Sequence, residues 1–194
     1  TDPDLATVQH THHAPDSPGS RCLNCHMPHA TYTLLKATRN HMISSPNAKR
    51  AAMTGRPDAC SLCHLDKPLA WTADKLHRWY KQSLPELSDD AQKLPASVVW
   101  GLSGHALQRA IITWHMGWKP AQRASGTDWM PLVLSQRVVD PYSAIRYMAR
   151  RSLRTIEQHK DVDYDFIDKP SELNQLAAKL FVTWLQEHPS SDPE

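Results

Sequence analysis

The chain is poor in the material for a large self-sufficient core: of its 194 residues, 40% are apolar, somewhat below the share usual for a globular domain. It has no apolar run of the roughly 20 residues that a membrane-spanning helix needs, so no membrane span is expected. It has no long block of one charge either. Lys and Arg are scattered, with only a short Arg150-Arg151 cluster, and the formal net charge is +2. Charge therefore gives no argument for a nucleic-acid partner. No signal-peptide pattern opens the chain. Cysteine is scarce too, with four residues in all.

Those four cysteines are all used in two CxxCH pentapeptides, Cys22-Leu23-Asn24-Cys25-His26 and Cys60-Ser61-Leu62-Cys63-His64. CxxCH is the covalent attachment sequence of a c-type haem. The two thiols form thioethers with the haem vinyl groups, and the adjacent His is the proximal iron ligand. Two covalently attached haem c groups are thus expected, on Cys22, Cys25, Cys60 and Cys63, with His26 and His64 on the irons. Four-cysteine zinc sites also use CxxC pairs, but here the intervening loop is longer than in a typical zinc ribbon and each pair carries a following His. A thioredoxin-like motif would need a βαβ frame, and no strand run supplies one. Two disulfides suit an oxidising compartment but leave the repeated His unexplained. The macrocycles would add the buried apolar surface that the composition lacks, and their propionates would move the charge balance towards acidic. Haem c is attached after export, so a periplasmic or extracellular location is expected, with the chain read as a mature form whose leader has been removed.

The expected fold class is all-α, in two parts and a tail. Residues 1–70 hold both motifs and frequent Pro, Ser and Asn, and read as a loop-rich dihaem-binding segment with short helical turns at each CxxCH. Residues 71–188 read as a helical region packing on the haems, and 189–194 as a frayed tail. The three- and four-residue spacing of apolar side chains predicts a helix over 71–80 and one long helix over 95–118, stopped by Gly117 and Pro120. Asp128 is expected to cap a third helix. Asp140 caps a fourth with Pro141 at its first position, and Ser171 caps a last helix over 171–187. Residues 140–146 resemble the second helix of a HEAT-like repeat, and 102–114 do so less clearly. Such helix pairs stack into a short solenoid.

Around the first motif the chain reads His12-His13-Ala14-Pro15-Asp16-Ser17-Pro18-Gly19-Ser20-Arg21 before Cys22, then Met27-Pro28 after His26, then Arg39-Asn40-His41. This arrangement resembles the last two haem sites of the multihaem cytochrome c superfamily that contains the pentahaem nitrite reductases, and of larger multihaem cytochromes with a HEAT-like helical tail. The likeness covers roughly residues 10–80, with fragments at 108–110, 114–115 and 140–153. It implies that His13, or its neighbour His12, is the distal ligand of the haem held by His64. It implies His115, on a downstream helix, as the distal ligand of the haem held by His26. A histidine placed like His41 usually serves a haem attached further upstream, and this chain has no upstream CxxCH. The reductase's unusual proximal lysine and the part that carries its active-site residues are also missing, so the resemblance implies a haem scaffold more than nitrite reduction.

The other histidines, His29, His77, His159 and His188, read as structural. His105 lies about three turns before His115 on the same expected helix, off its face. Met42, Met53, Met116 and Met130 compete as ligands by count, but a helical Met more often fills a core, so bis-His ligation at the reducing end of the range is expected. Trp71, Trp79, Trp100, Trp114 and Trp118 read as packing. The expected function is electron transfer between redox protein partners, with the helical tail as a docking platform. Two readings stand beside it. One is a haem enzyme with an open iron for nitrite, hydroxylamine, peroxide or a sulfur oxyanion, with Arg39 and Tyr32 nearest the first haem in sequence. The other is an assembly subunit of a multihaem complex or filament, in which His41 ligates a haem of another chain. Alternatively, His41 serves the His26 haem within its own chain.

Overall fold

Around the two motifs, caps and turns rather than long periodic helices set the path of the chain. The computed structural model describes residues 5–189. The first element, α1 (Val8–Thr11), is one turn ended by His12 in a left-handed conformation, φ 53°, whose N–H donates to Val8 O. A 3₁₀ turn (Pro18–Ser20) leads into α2 (Cys22–His26), the first motif itself. A two-stranded antiparallel hairpin follows, β1 (Thr31–Thr33) and β2 (Lys36–Thr38), in the register Tyr32 to Ala37. The sequence reading held no strand here, because three-residue strands are too short to show an alternating pattern. Next, α3 (Ala48–Thr54) is capped by Asn47, whose side chain accepts from Arg50 N–H at 2.7 Å, and ends at Gly55 with φ 67°. The second CxxCH forms a tight turn, closed by the His64 and Cys63 N–H groups donating to Cys60 O.

Beyond residue 68 helices dominate. In α4 (Leu69–Tyr80), Leu69, Thr72, Ala73 and Leu76 are buried at spacings of three and four, as one apolar stripe requires. A short α5 (Asp89–Lys93) is capped by Ser88. The long helix expected over 95–118 is two helices, α6 (Ala96–Leu102) and α7 (Ala106–Met116). The break comes from a capping box in which His105 stands where Ser or Thr usually does: its ring accepts from Gln108 N–H, and the Gln108 side chain accepts from His105 N–H. His105 is therefore an N-cap, not a helix-interior residue. A Cβ on Gly104 would collide with Trp100 O, so the chain reverses there only with glycine.

Pro120 opens a further helix, α8 (Lys119–Ser125), instead of stopping one. Then α9 (Met130–Val138) starts after Trp129; Asp128 meets the rest of the fold through its carbonyl, which accepts from the Trp184 indole N–H at 2.6 Å. α10 (Ser143–Leu153) starts after Tyr142, and α11 (Pro170–Glu187) after Lys169, so Asp140 and Ser171 are not the capping residues.

One buried cluster runs across both expected parts, joining Ala30, Leu62 and Leu65 to Trp100, Met130 and Leu134. Helix α7 packs on α10, α6 and the hairpin, and α9 packs on α10 and α11. The Asp140 carboxylate is wholly buried beneath these helices. It accepts from Arg109 Nε at 2.7 Å and from an Arg137 terminal nitrogen at 2.8 Å, and its other oxygen accepts from Tyr142 N–H at 3.0 Å. Asp140 thus joins α7, α9 and the start of α10. The helical region also grips the second motif: Ser125 Oγ accepts from Leu65 N–H at 2.8 Å and donates to Cys63 O at 3.0 Å.

Candidate haem-binding cleft

The first motif and Cys60 of the second open onto one cleft. Cys22, Cys25, His26 and Cys60 line it together with His10, His13, Leu76, Trp79 and Tyr80. Its walls are mostly apolar, and its cavity volume is about 400 Å³, within the roughly 300–1,000 Å³ of clefts that hold small molecules and cofactors. None of the four cysteines is in a disulfide. Burial pushes the thiols of Cys25 and Cys60 up and that of Cys63 up to about 11, and Cys25 adds to the effect on the other two, so the two motifs meet at this residue. Among the described residues no group of three or more His, Cys, Asp or Glu side chains converges to hold one ion.

Each motif is fastened from outside. Arg39 donates to Leu23 O at 2.6 Å, to Met27 O at 2.9 Å and to Asn24 Oδ1 at 2.8 Å, which ties the end of β2 to α2. Its guanidinium is spent on that helix rather than aimed at an iron position. Tyr32 packs against the core. At the second motif, Asp58 Oδ1 accepts from Cys60 N–H at 2.8 Å and Ser61 N–H at 3.2 Å, while Oδ2 accepts from Ser61 Oγ at 2.7 Å. Burial raises the Asp58 pKa against these hydrogen bonds. Asp58 was not read from the sequence, although an Asp two residues before a CxxCH turn carries the usual capping signal.

The histidines come in facing pairs. His13 faces His64 of the second motif with ring centroids 6.0 Å apart and planes 27° apart. His10 faces His26 of the first motif at 6.2 Å with planes 6° apart. His12 turns the other way and lies on the Trp79 ring at 4.1 Å, so of the two neighbours it is His13 that meets a motif histidine. Two of the four rings have a tautomer set by a carbonyl, which can only accept. His26 Nδ1 donates to Ser44 O at 3.2 Å, and His13 Nδ1 donates to Thr11 O at 2.5 Å. In the neutral ring this arrangement makes Nε2 the acceptor, the state of a metal-ligating histidine. Gly19 backs the His13 ring so closely that a Cβ there would collide with it. His64 packs against Trp71 at 4.8 Å, and burial lowers its pKa, with the neighbouring His13 adding to the effect. A neutral imidazole is the ligating form. The donors fit two c-type haems: paired thiols beside a proximal imidazole, each imidazole faced by a second one.

Two of the histidines singled out by resemblance lie elsewhere. His115 is 1% exposed on α7, and its Nε2 donates to His29 O at 2.9 Å, so it is not brought to His26. His41 is exposed on the loop after the hairpin. The Met candidates are also placed away from the cleft: Met42 and Met53 are exposed, and Met116 and Met130 are buried in the helical core. His10 is the residue that the sequence reading missed. Its only sequence signal is that it precedes the His12-His13 pair, and spacing alone does not turn it towards α2. No protein-family model matches the chain, and neither a curated protein nor a solved structure matches it.

Proposed function

We propose that this chain is a dihaem c-type cytochrome that relays single electrons between redox protein partners. Haem c would be held covalently by Cys22 and Cys25 and by Cys60 and Cys63, with His26 and His64 as proximal ligands. The observation that carries the reading is that the first CxxCH motif and Cys60 of the second, with no cysteine outside the two motifs, open onto one apolar cleft. Haem c supplies a one-electron iron couple when attached. The chain's own residues do the holding: Arg39 and Asp58 fix the two motifs, Ser44 and Thr11 set imidazole tautomers, and Leu76 and Trp79 give the cleft apolar walls. An open-iron enzyme is the weaker reading, because Arg39 is committed to α2 and each motif histidine already has an imidazole opposite it.

The reading agrees with the likeness to the last haem sites of multihaem cytochromes. It extends to the helical region as a HEAT-like platform on which α7, α9 and α10 stack and redox partners dock. Exposed His41 is then offered to a haem carried by another chain. Attachment of haem c places the protein in the periplasm or outside the cell. Among the described residues no helix is long and apolar enough to cross a membrane.

The test is expression with a haem c maturation system, followed by intact mass and pyridine haemochrome analysis. Two covalent haems per chain are expected, and one in the C22A/C25A variant. A chain matured under these conditions that carries no covalent haem, or that binds stoichiometric zinc through its thiols, overturns the reading.

A further inference from the structure

We propose that His10 is the sixth ligand of the haem held by His26, so that His10 and His13, at the ends of one short segment, close both irons. This assignment rests on the dihaem reading above. Two imidazoles placed trans across one metal are separated by two metal–nitrogen bonds of about 2.0–2.1 Å and two ring radii of about 1.1 Å, which puts their centroids about 6.3 Å apart. The His10–His26 and His13–His64 pairs have centroid separations of 6.2 and 6.0 Å. Ring pairs that pack elsewhere in the fold run from 4.1 Å for His12 on Trp79 to 6.3 Å for Trp114 on Trp118, so the assignment rests on the separation together with the position of each pair at a CxxCH histidine.

Helix α1 is a single turn that buries none of its residues. What positions it is the wall of the cleft: the Tyr80 hydroxyl donates to His10 O, and His12 lies on Trp79. The left-handed turn at His12 sends His12 to that wall and lets His10 and His13, on either side of it, face the two motifs. His115, by contrast, has already used Nε2 on the His29 carbonyl, and its Nδ1 is buried. Met27 lines the cleft but directly follows its own proximal histidine.

Ring planes 6° and 27° apart are closer to parallel than to perpendicular. Near-parallel axial imidazoles give rhombic low-spin ferric spectra, whereas perpendicular ones give the highly anisotropic type. The assignment thus specifies the shape of the signal as well as its spin state.

The experiment is EPR of the oxidised holoprotein with spin counted against covalent haem, for wild type, His10→Ala, His115→Ala and His10→Met. Wild type is expected to show two rhombic low-spin haems. His10→Ala should turn one of the two high-spin, and His115→Ala neither. His10→Met should keep both low-spin, add a sulfur-to-iron charge-transfer band for one haem and raise that haem's potential. The Met variant keeps the test decisive if the Ala variant matures poorly. Two low-spin haems in His10→Ala, no sulfur band in His10→Met, or a high-spin haem created by His115→Ala would overturn the assignment while leaving two covalent haems in place. A wild type without covalent haem would instead overturn the dihaem reading itself.

Discussion

Acid should destabilise the fold through His115, and by an amount that its surroundings define. The side chain is 1% exposed on α7 and is enclosed by His29, Trp114 and Trp118. Its Nε2–H donates to His29 O at 2.9 Å, and its Nδ1 is buried. Burial lowers its pKa to about 4, against about 6.5 in an unfolded chain. Between those values the unfolded chain binds the extra proton, so stability rises with pH across this window. The contribution is complete above about pH 6.5 and is lost as the pH falls towards about 4. A difference of ~2.5 units at ~1.4 kcal/mol per unit gives roughly 3 kcal/mol. The assay is urea unfolding near pH 7 and again near pH 4.5, for wild type and for His115→Gln, which keeps a donor for the His29 carbonyl. The other histidines whose pKa burial lowers, His12, His29, His64 and His159, are present in both proteins and cancel in the comparison. Wild type should lose about 2–3 kcal/mol more than the variant on acidification. Equal losses would show that His115 is charged in the folded protein and that the burial argument is wrong.

Two further outcomes follow from the same structure. Asp140→Ala leaves the mostly buried Arg109 and Arg137 without their shared carboxylate, so unfolding free energy in urea should fall by about 3–5 kcal/mol; a loss under about 1 kcal/mol would mean that water takes over the carboxylate's role. Gly19→Ala puts a methyl group into the His13 ring. On the dihaem reading it should convert the His64 haem to high spin in EPR and leave the His26 haem low-spin, and an unchanged spectrum would remove His13 from the iron.

Several features were legible in the linear chain because their causes are local. The CxxCH spacing specifies paired thiols beside an imidazole whatever the fold. The helix over 71–80 shows its period and is recovered as α4, and 171–187 is recovered as α11 to within one residue at its start. The mainly helical class follows from these segments. The break between α6 and α7 was not legible, because it depends on a histidine acting as a cap, a role usually given to Ser, Thr, Asp or Asn. Pro120 signals equally well the end of one helix and the first turn of the next, and only packing decides between them.

The pairing of the histidines lies wholly on the tertiary side. Twelve imidazoles are visible in the chain, but which of them face each other depends on where distant segments cross. One left-handed residue at His12, a tyrosine hydroxyl at the far end of α4 and a carbonyl at Ser44 orient His10, His13 and His26. The sequence by itself determined the setting of paired thiols beside an imidazole, because that needs only neighbouring residues. The tertiary structure decided which imidazoles face which, because such a pair requires two side chains from separate segments to meet.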